Sequence, residues 1–206
     1  EFLLGKPFVE VSWASGLDAK GRPIRVPGMT PSREGTLITP GNQGGTNWYS
    51  PSYSPRSGFF YIPSWVNYTS QYVKQDAEYV EGRTFGGGAP RTTVPGVRAG
   101  QLLNYAKEDE GFGAIRAIDP RTGDLKWQFE MSDFTDAGVL TTASNVLFSG
   151  GREGYFFALD AQTGSLLWKA AVGGRVASGP MTYSVGGRQF VGVAAGNVLF
   201  VYALKA

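Results

Sequence analysis

The chain has 206 residues, 42% hydrophobic and 17% charged, which is the balance of a globular protein and not of a disordered one. Its net charge of +2 comes from 19 basic and 17 acidic residues scattered along the chain, which leaves no footprint for nucleic acid or an anionic membrane surface. There is no cysteine and no histidine, which excludes disulfides, thiolate nucleophiles, Cys-based zinc sites and every His-dependent triad.

Thirty glycines and twelve prolines, with thirteen Phe, ten Tyr and five Trp, predict all-β structure with many tight turns. No stretch is long enough to span a membrane, and Glu1–Gly5 is not a signal peptide. The chain opens without Met, inside a strand-turn element at Leu4–Val9, and is read as a fragment or a processed product. Asn47–Ser54 and Gly58–Trp65 are predicted strands flanking a turn at residues 55–58. From Val66 to Phe112 the sequence turns polar, with Pro90 and Pro95, and reads as a long insertion, either functional or mobile. Beyond it, strands are predicted at Gly138–Thr142, Asn145–Ser149 and Tyr155–Asp160, then at Met181–Val185, Arg188–Ala194 and Val198–Leu204. Helical periodicity is weak throughout.

The strongest internal signal is a repeat. Residues 117–127 and 158–168 both read A-x-D-x-x-T-G-x-L-x-W, with six identical positions of eleven at an offset of 41. That offset matches the roughly 40–45 residues of one four-stranded propeller blade. In each copy the Asp carboxylate can accept backbone N–H bonds two residues on, and the Gly supplies positive φ. The closing Trp, Trp127 or Trp168, offers a large flat surface to a neighbouring blade.

These elements predict an all-β, partial β-propeller of about three blades of four-stranded antiparallel sheets, in one domain over residues 1–206. The end of one blade is placed at 1–13, a blade carrying the long insertion at 36–130, a blade at 137–171 and a last blade of at most three strands at 176–206. Three blades cannot close a ring, so the open edges call for the remaining blades of the same protein or for another copy of the chain.

The repeated hairpin resembles the tryptophan-docking motif of the pyrroloquinoline quinone (PQQ) propeller family. Three further stretches are similar to PQQ-dependent alcohol and methanol dehydrogenases: residues 44–55, reading GGTNWYSPSYSP; residues 138–148, GVLTTASNVLF; and residues 178–191, SGPMTYSVGGRQFV. The resemblance covers most of the chain outside 66–112. It implies an eight-bladed propeller that binds PQQ and Ca²⁺ on its axis and oxidises alcohols with an Asp as base. It also implies electron transfer to a cytochrome and a periplasmic location. Of the cofactor contacts it implies two here: Asn47, whose amide can donate to a quinone carbonyl, and Trp48, which helps line the site. The alternative roles are a turn cap for Asn47 and packing between blades for Trp48. The catalytic base and the calcium ligands fall outside this chain, so no catalytic and no metal-ligating residue is assigned, and the segment alone is expected to be inactive.

In many relatives a Trp stands just before the G-x-L-x-T-A strand, where this chain has Asp136-Ala137-Gly138. A carboxylate there would be repelled by a tricarboxylate cofactor unless protonated or paired. That departure keeps a second reading open, a propeller without cofactor that acts as a protein-binding scaffold. Other acidic residues carry less. Glu108, Asp109 and Glu110, like Asp76, Glu78 and Glu81, read as solvated loops, and Gly86-Gly87-Gly88 lacks the setting of a phosphate loop. Asp119 and Asp160 are expected to serve their turns, and Asn67-Tyr68-Thr69 fits the glycosylation pattern.

Overall fold

The computed structural model describes residues 4–86, 88–91, 105–106 and 109–204. In chain order the strands are β1 (Ala14–Leu17), β2 (Pro23–Arg25), β3 (Thr36–Ile38), β4 (Ser52–Ser54), β5 (Phe59–Val66) and β6 (Ser70–Lys74). Then come β7 (Gly88–Arg91), β8 (Tyr105–Ala106), β9 (Asp109–Glu110), β10 (Phe112–Ile118), β11 (Leu125–Met131) and β12 (Leu140–Thr141). The last six are β13 (Val146–Gly150), β14 (Tyr155–Asp160), β15 (Leu166–Ala171), β16 (Met181–Val185), β17 (Arg188–Ala195) and β18 (Val198–Tyr202). No helix occurs among the described residues.

The chain divides into two compact units. The first comprises Glu1–Gly45 and Val66–Gly111. It holds the hairpin β1-β2, the three-stranded sheet β3-β6-β7 and the short pair β8-β9. Two expectations shift here. Residues 4–13 carry no strand, and the first antiparallel pair is β1 with β2. The insertion also contributes strands of its own, β6 pairing with β3 through Thr36↔Tyr72 and Ile38↔Ser70. Asp76 lies exposed there with Arg33 at 2.6 Å. Gly87, Glu108 and residues 92–104 lie outside the described residues.

The second unit comprises Thr46–Trp65 and Phe112–Ala206. It stacks three sheets: β11-β10-β5-β4, β12-β13-β14-β15 and β16-β17-β18. Alternation along each strand explains the stack, because successive side chains point to opposite faces. In β14, Phe157 and Leu159 enter one apolar cluster with Tyr61, Ile115 and Met131. Their neighbour Phe156 enters a second cluster with Val176, Val191 and Val193. Leu147 and Phe148 of β13 divide the same way. The inner strands β13 and β14 of the middle sheet are therefore buried on both faces, one against each neighbouring sheet, which is the layering of consecutive propeller blades.

Both repeated hairpins form as the local chemistry requires. The Asp119 Oδ1 accepts the backbone N–H of Arg121 at 3.0 Å, and the Asp160 Oδ1 accepts those of Gln162 and Thr163, each at 2.8 Å. The two hairpins sit in successive sheets, and Trp127 reaches from one to the next. Its indole N–H donates to the Ala161 carbonyl at 3.2 Å, and its ring covers Gly164, where a Cβ would stand 2.6 Å from the ring. Trp168 in turn meets Tyr202 of the third sheet edge-on at 4.9 Å.

The third sheet has one unpartnered face. Cross-strand pairs Met181↔Gly192, Tyr183↔Phe190, Gly192↔Val201 and Ala194↔Leu199 put these residues on the side away from Val191 and Val193. Among the described residues nothing covers that face, and Met181, Val185, Leu199 and Val201 are exposed on it.

Candidate cofactor-facing site

The loop 46–51 enters β4 lying on the segment 134–139 that precedes β12. The Val139 N–H donates to the Ser50 carbonyl at 2.8 Å. Gly138 sits so close to Ser50 and Gly179 that a Cβ would come within 3.0 Å of the Gly179 backbone. The same loop presents Asn47, Trp48 and Tyr49 in succession, and their environments differ sharply.

Asn47 is exposed, and its Oδ1 accepts the backbone N–H of Trp48 at 2.9 Å. Trp48 is 75% exposed, with its ring centroid 4.7 Å from that of Tyr49 at a 47° tilt. Tyr49 is buried. Its hydroxyl donates to the Asp136 Oδ1 at 2.8 Å, and its ring lies 5.8 Å from that of Trp65. Trp65 donates its indole N–H to the Thr135 carbonyl at 2.6 Å and packs against Phe134 at 4.5 Å. Trp48 thus rests on Tyr49, which is backed in turn by Trp65 and Phe134.

Asp136 lies beneath, its side chain 3% exposed. Its Oδ2 accepts the Arg152 Nε at 2.8 Å and is ion-paired with the Arg175 Nη2. Arg152 also lies over the Phe134 ring at 3.8 Å. The carboxylate is therefore not bare: two guanidiniums and a phenol surround it, as buried charge requires. Burial pushes the Tyr49 hydroxyl up to about 12, the bond to Asp136 adds to this, and the two guanidiniums oppose it. Tyr49 is consequently a fixed proton donor at neutral pH and not a base.

Tyr49, Arg152 and Arg175 escape a reading of the sequence by itself. Arg152 and Arg175 each follow a Gly-Gly pair, Gly150-Gly151 and Gly173-Gly174, and look like ordinary turn residues. The available signal is the coincidence of two cations in Gly-rich turns with Asp136 at the entry to a strand. Asp119 and Asp160 have their carboxylates on their own turns. Hydrogen bonds from Arg121 hold Asp119 down to about 2. No cluster of three or more acidic residues able to hold a metal occurs among the described residues.

A family model of the glucose/ethanol/alcohol dehydrogenase β-propeller domain that uses PQQ matches residues 18–191. The chain belongs to this family. Quinoprotein alcohol dehydrogenase PedE of Pseudomonas putida is 34% identical over 200 residues, covering 92% of this chain and 30% of that protein. Quinohemoprotein alcohol dehydrogenase of Comamonas testosteroni is 35% identical over 200 residues, covering 95% of this chain and 27% of that protein. Among solved structures, the crystal structure of the Comamonas testosteroni quinohemoprotein superposes with a TM-score of 0.77 at 29% identity, over 93% of this chain and 28% of that one. A europium-containing methanol dehydrogenase superposes at 0.75 and 27% identity, over 91% of this chain and 32% of that one. The chain thus spans about 30% of the length of the quinoprotein dehydrogenases it matches, and the three stacked sheets are part of a propeller.

Proposed function

We propose that the protein carrying this chain is a PQQ-dependent alcohol dehydrogenase, and that this chain supplies one wall of its cofactor site. The observation that carries the reading is the Asn47-Trp48-Tyr49 platform, tied by Tyr49 to Asp136. The residues fit a flat, anionic quinone. Trp48 offers an exposed indole face for stacking, and the Asn47 amide nitrogen is a donor suited to a quinone oxygen. The paired Asp136 presents no uncompensated negative charge to a polycarboxylate. When bound, PQQ supplies the two-electron oxidation of an alcohol to a carbonyl. Asn47 and Trp48 orient it, while Tyr49, Trp65 and Phe134 keep the platform rigid and exclude water beneath it.

The reading extends to the whole protein by likeness. Relatives bear names such as 1-butanol dehydrogenase (cytochrome c), which supports a cytochrome as electron acceptor. The europium-containing neighbour supports a metal, Ca²⁺ or a lanthanide, beside the quinone. The metal ligands and the base that accepts the alcohol proton then come from outside this chain, and the protein works in the periplasm. The blades are then the sheets β4-β5-β10-β11, β12–β15 and β16–β18, and not a blade beginning at residue 36, since β3 pairs with β6 in another sheet; Trp127 and Trp168 join them as docking tryptophans.

Calorimetric titration of PQQ with Ca²⁺ into the protein expressed from its natural gene tests the proposal. Binding is expected, weakened on the order of tenfold or more by Trp48→Ala, given about 1–3 kcal/mol for stacking a planar ring on an aromatic side chain. Absence of binding would favour the cofactor-free scaffold, the reading that the departure at Asp136 keeps open.

A further inference from the structure

We propose that Arg152 and Arg175 form a carboxylate-binding pair beside Trp48, and that its natural occupant is the carboxylate of an alcohol substrate, a hydroxy acid. The inference deepens the dehydrogenase reading and rests on it for the word substrate, but not for the binding.

Both guanidiniums converge on a single oxygen, the Asp136 Oδ2, so they lie next to each other. One carboxylate against two guanidiniums leaves the cluster with one positive charge over. Glu153, the residue after Arg152, is not part of this ion-paired group: its Oε1 accepts from the Ser132 hydroxyl and the Asp133 N–H. Among the described residues, Arg152 donates only its Nε, and Arg175 is ion-paired to Asp136 through its Nη2, so both Nη groups of Arg152 have no hydrogen-bond partner. Nor are the arginines sealed away with the Asp. Arg152 is 30% and Arg175 49% exposed, against 3% for Asp136. A buried anion therefore fixes two accessible cations, with the paired Nη groups of Arg152 left over. That arrangement suits a planar monoanion taken up by two parallel N–H···O bonds. A single surplus charge is neutralised by one carboxylate, whereas a phosphate dianion would overshoot it. Through Tyr49 the pair is joined to Trp48, so the anion would be held at the edge of the proposed cofactor platform.

The test is calorimetry on the protein expressed from its natural gene, freed of PQQ, titrated with glycolate and in parallel with ethylene glycol. Glycolate is expected to bind and the neutral diol not to. Arg175→Gln, which leaves Asp136 its bonds to Arg152 and Tyr49, is expected to weaken glycolate about tenfold or more, as loss of a charge-assisted hydrogen bond does. Repeating the titration with PQQ bound separates two sources of carboxylate. Retained glycolate binding assigns the pair to substrate. Glycolate binding lost on loading means that a carboxylate of the cofactor occupies the pair, which keeps the site and overturns its assignment to substrate. Equal behaviour of glycolate and ethylene glycol in the unsubstituted protein, or glycolate affinity unchanged in both Arg175→Gln and Arg152→Gln, overturns the proposal. The first arm needs no cofactor, so failure of PQQ to bind would remove the dehydrogenase reading and leave the arginine pair standing.

Discussion

Trp127 and Gly164 provide a quantitative test of how one blade grips the next. Trp127 is largely buried against the cluster around Tyr61 and Ile115. Truncation to Ala removes roughly 150 Å² of apolar contact, about 3–4 kcal/mol. The lost indole hydrogen bond adds little, because the Ala161 carbonyl keeps the Tyr61 hydroxyl at 2.8 Å. Gly164 has φ +76° and its Cβ position falls 2.6 Å from the Trp127 ring. Gly164→Ala therefore carries a backbone cost of about 1–2 kcal/mol and an overpacking cost of about 1–3 kcal/mol. In a Trp127→Ala background the second cost disappears and only the first remains. The two substitutions should then be coupled by about 1–3 kcal/mol, the double variant being more stable than the sum predicts. Gly186→Ala calibrates the backbone cost alone, since Gly186 has φ +59° and nothing within 4 Å of its Cβ position. Equilibrium urea unfolding of the four-membered cycle, accepted only if the m-value is unchanged, measures the coupling. Additive costs, or a Gly164→Ala no worse than Gly186→Ala, would mean that the indole does not dock on the second hairpin.

Trp168→Ala should cost less than Trp127→Ala, about 2 kcal/mol in the same unfolding experiment, because Trp168 stays 38% exposed beside Tyr202. Equal costs would place the two tryptophans in equivalent environments. Tyr49 should titrate near pH 12 by ultraviolet absorbance. Its folded value is raised above the ordinary 10.0, so its contribution to stability is full below pH 10 and is lost as pH rises towards 12. A normal tyrosine titration would break the link to Asp136. Asp119 has the opposite sign. Its carboxyl is held down to about 2 against an ordinary 3.8, so its contribution is present above pH 3.8 and is lost as pH falls towards 2, measurable by carboxyl NMR in Arg121→Ala against the parent. Expressed by itself, this chain should self-associate through the open face of β16–β18, and Leu199→Lys with Val201→Lys should reduce the associated mass in light scattering. A monodisperse monomer of the unsubstituted chain would refute that.

Whatever short-range chemistry determines was legible in the sequence. Tyr155–Asp160 and Met181–Val185 form strands over the residues that alternation predicts, and the Asp119 and Asp160 turns close on bonds spanning two or three residues. Positive φ at Gly123 and Gly164 follows from the same turns. What was not legible depends on partners far away in the chain. Nothing in Thr36–Ile38 announces that its strand partner is Ser70–Tyr72, inside a stretch that reads as a polar insertion. Asp136 is the sharpest case. With Thr135 and Ala137 as its sequence neighbours, it reads as an isolated negative charge at odds with an anionic cofactor. Its partners lie 87, 16 and 39 residues away, at Tyr49, Arg152 and Arg175, and only folding brings them together. The sign of the site then inverts, from one negative charge to one positive charge over. A carboxylate that looked hostile to an anionic ligand becomes the group that holds two cations ready for one.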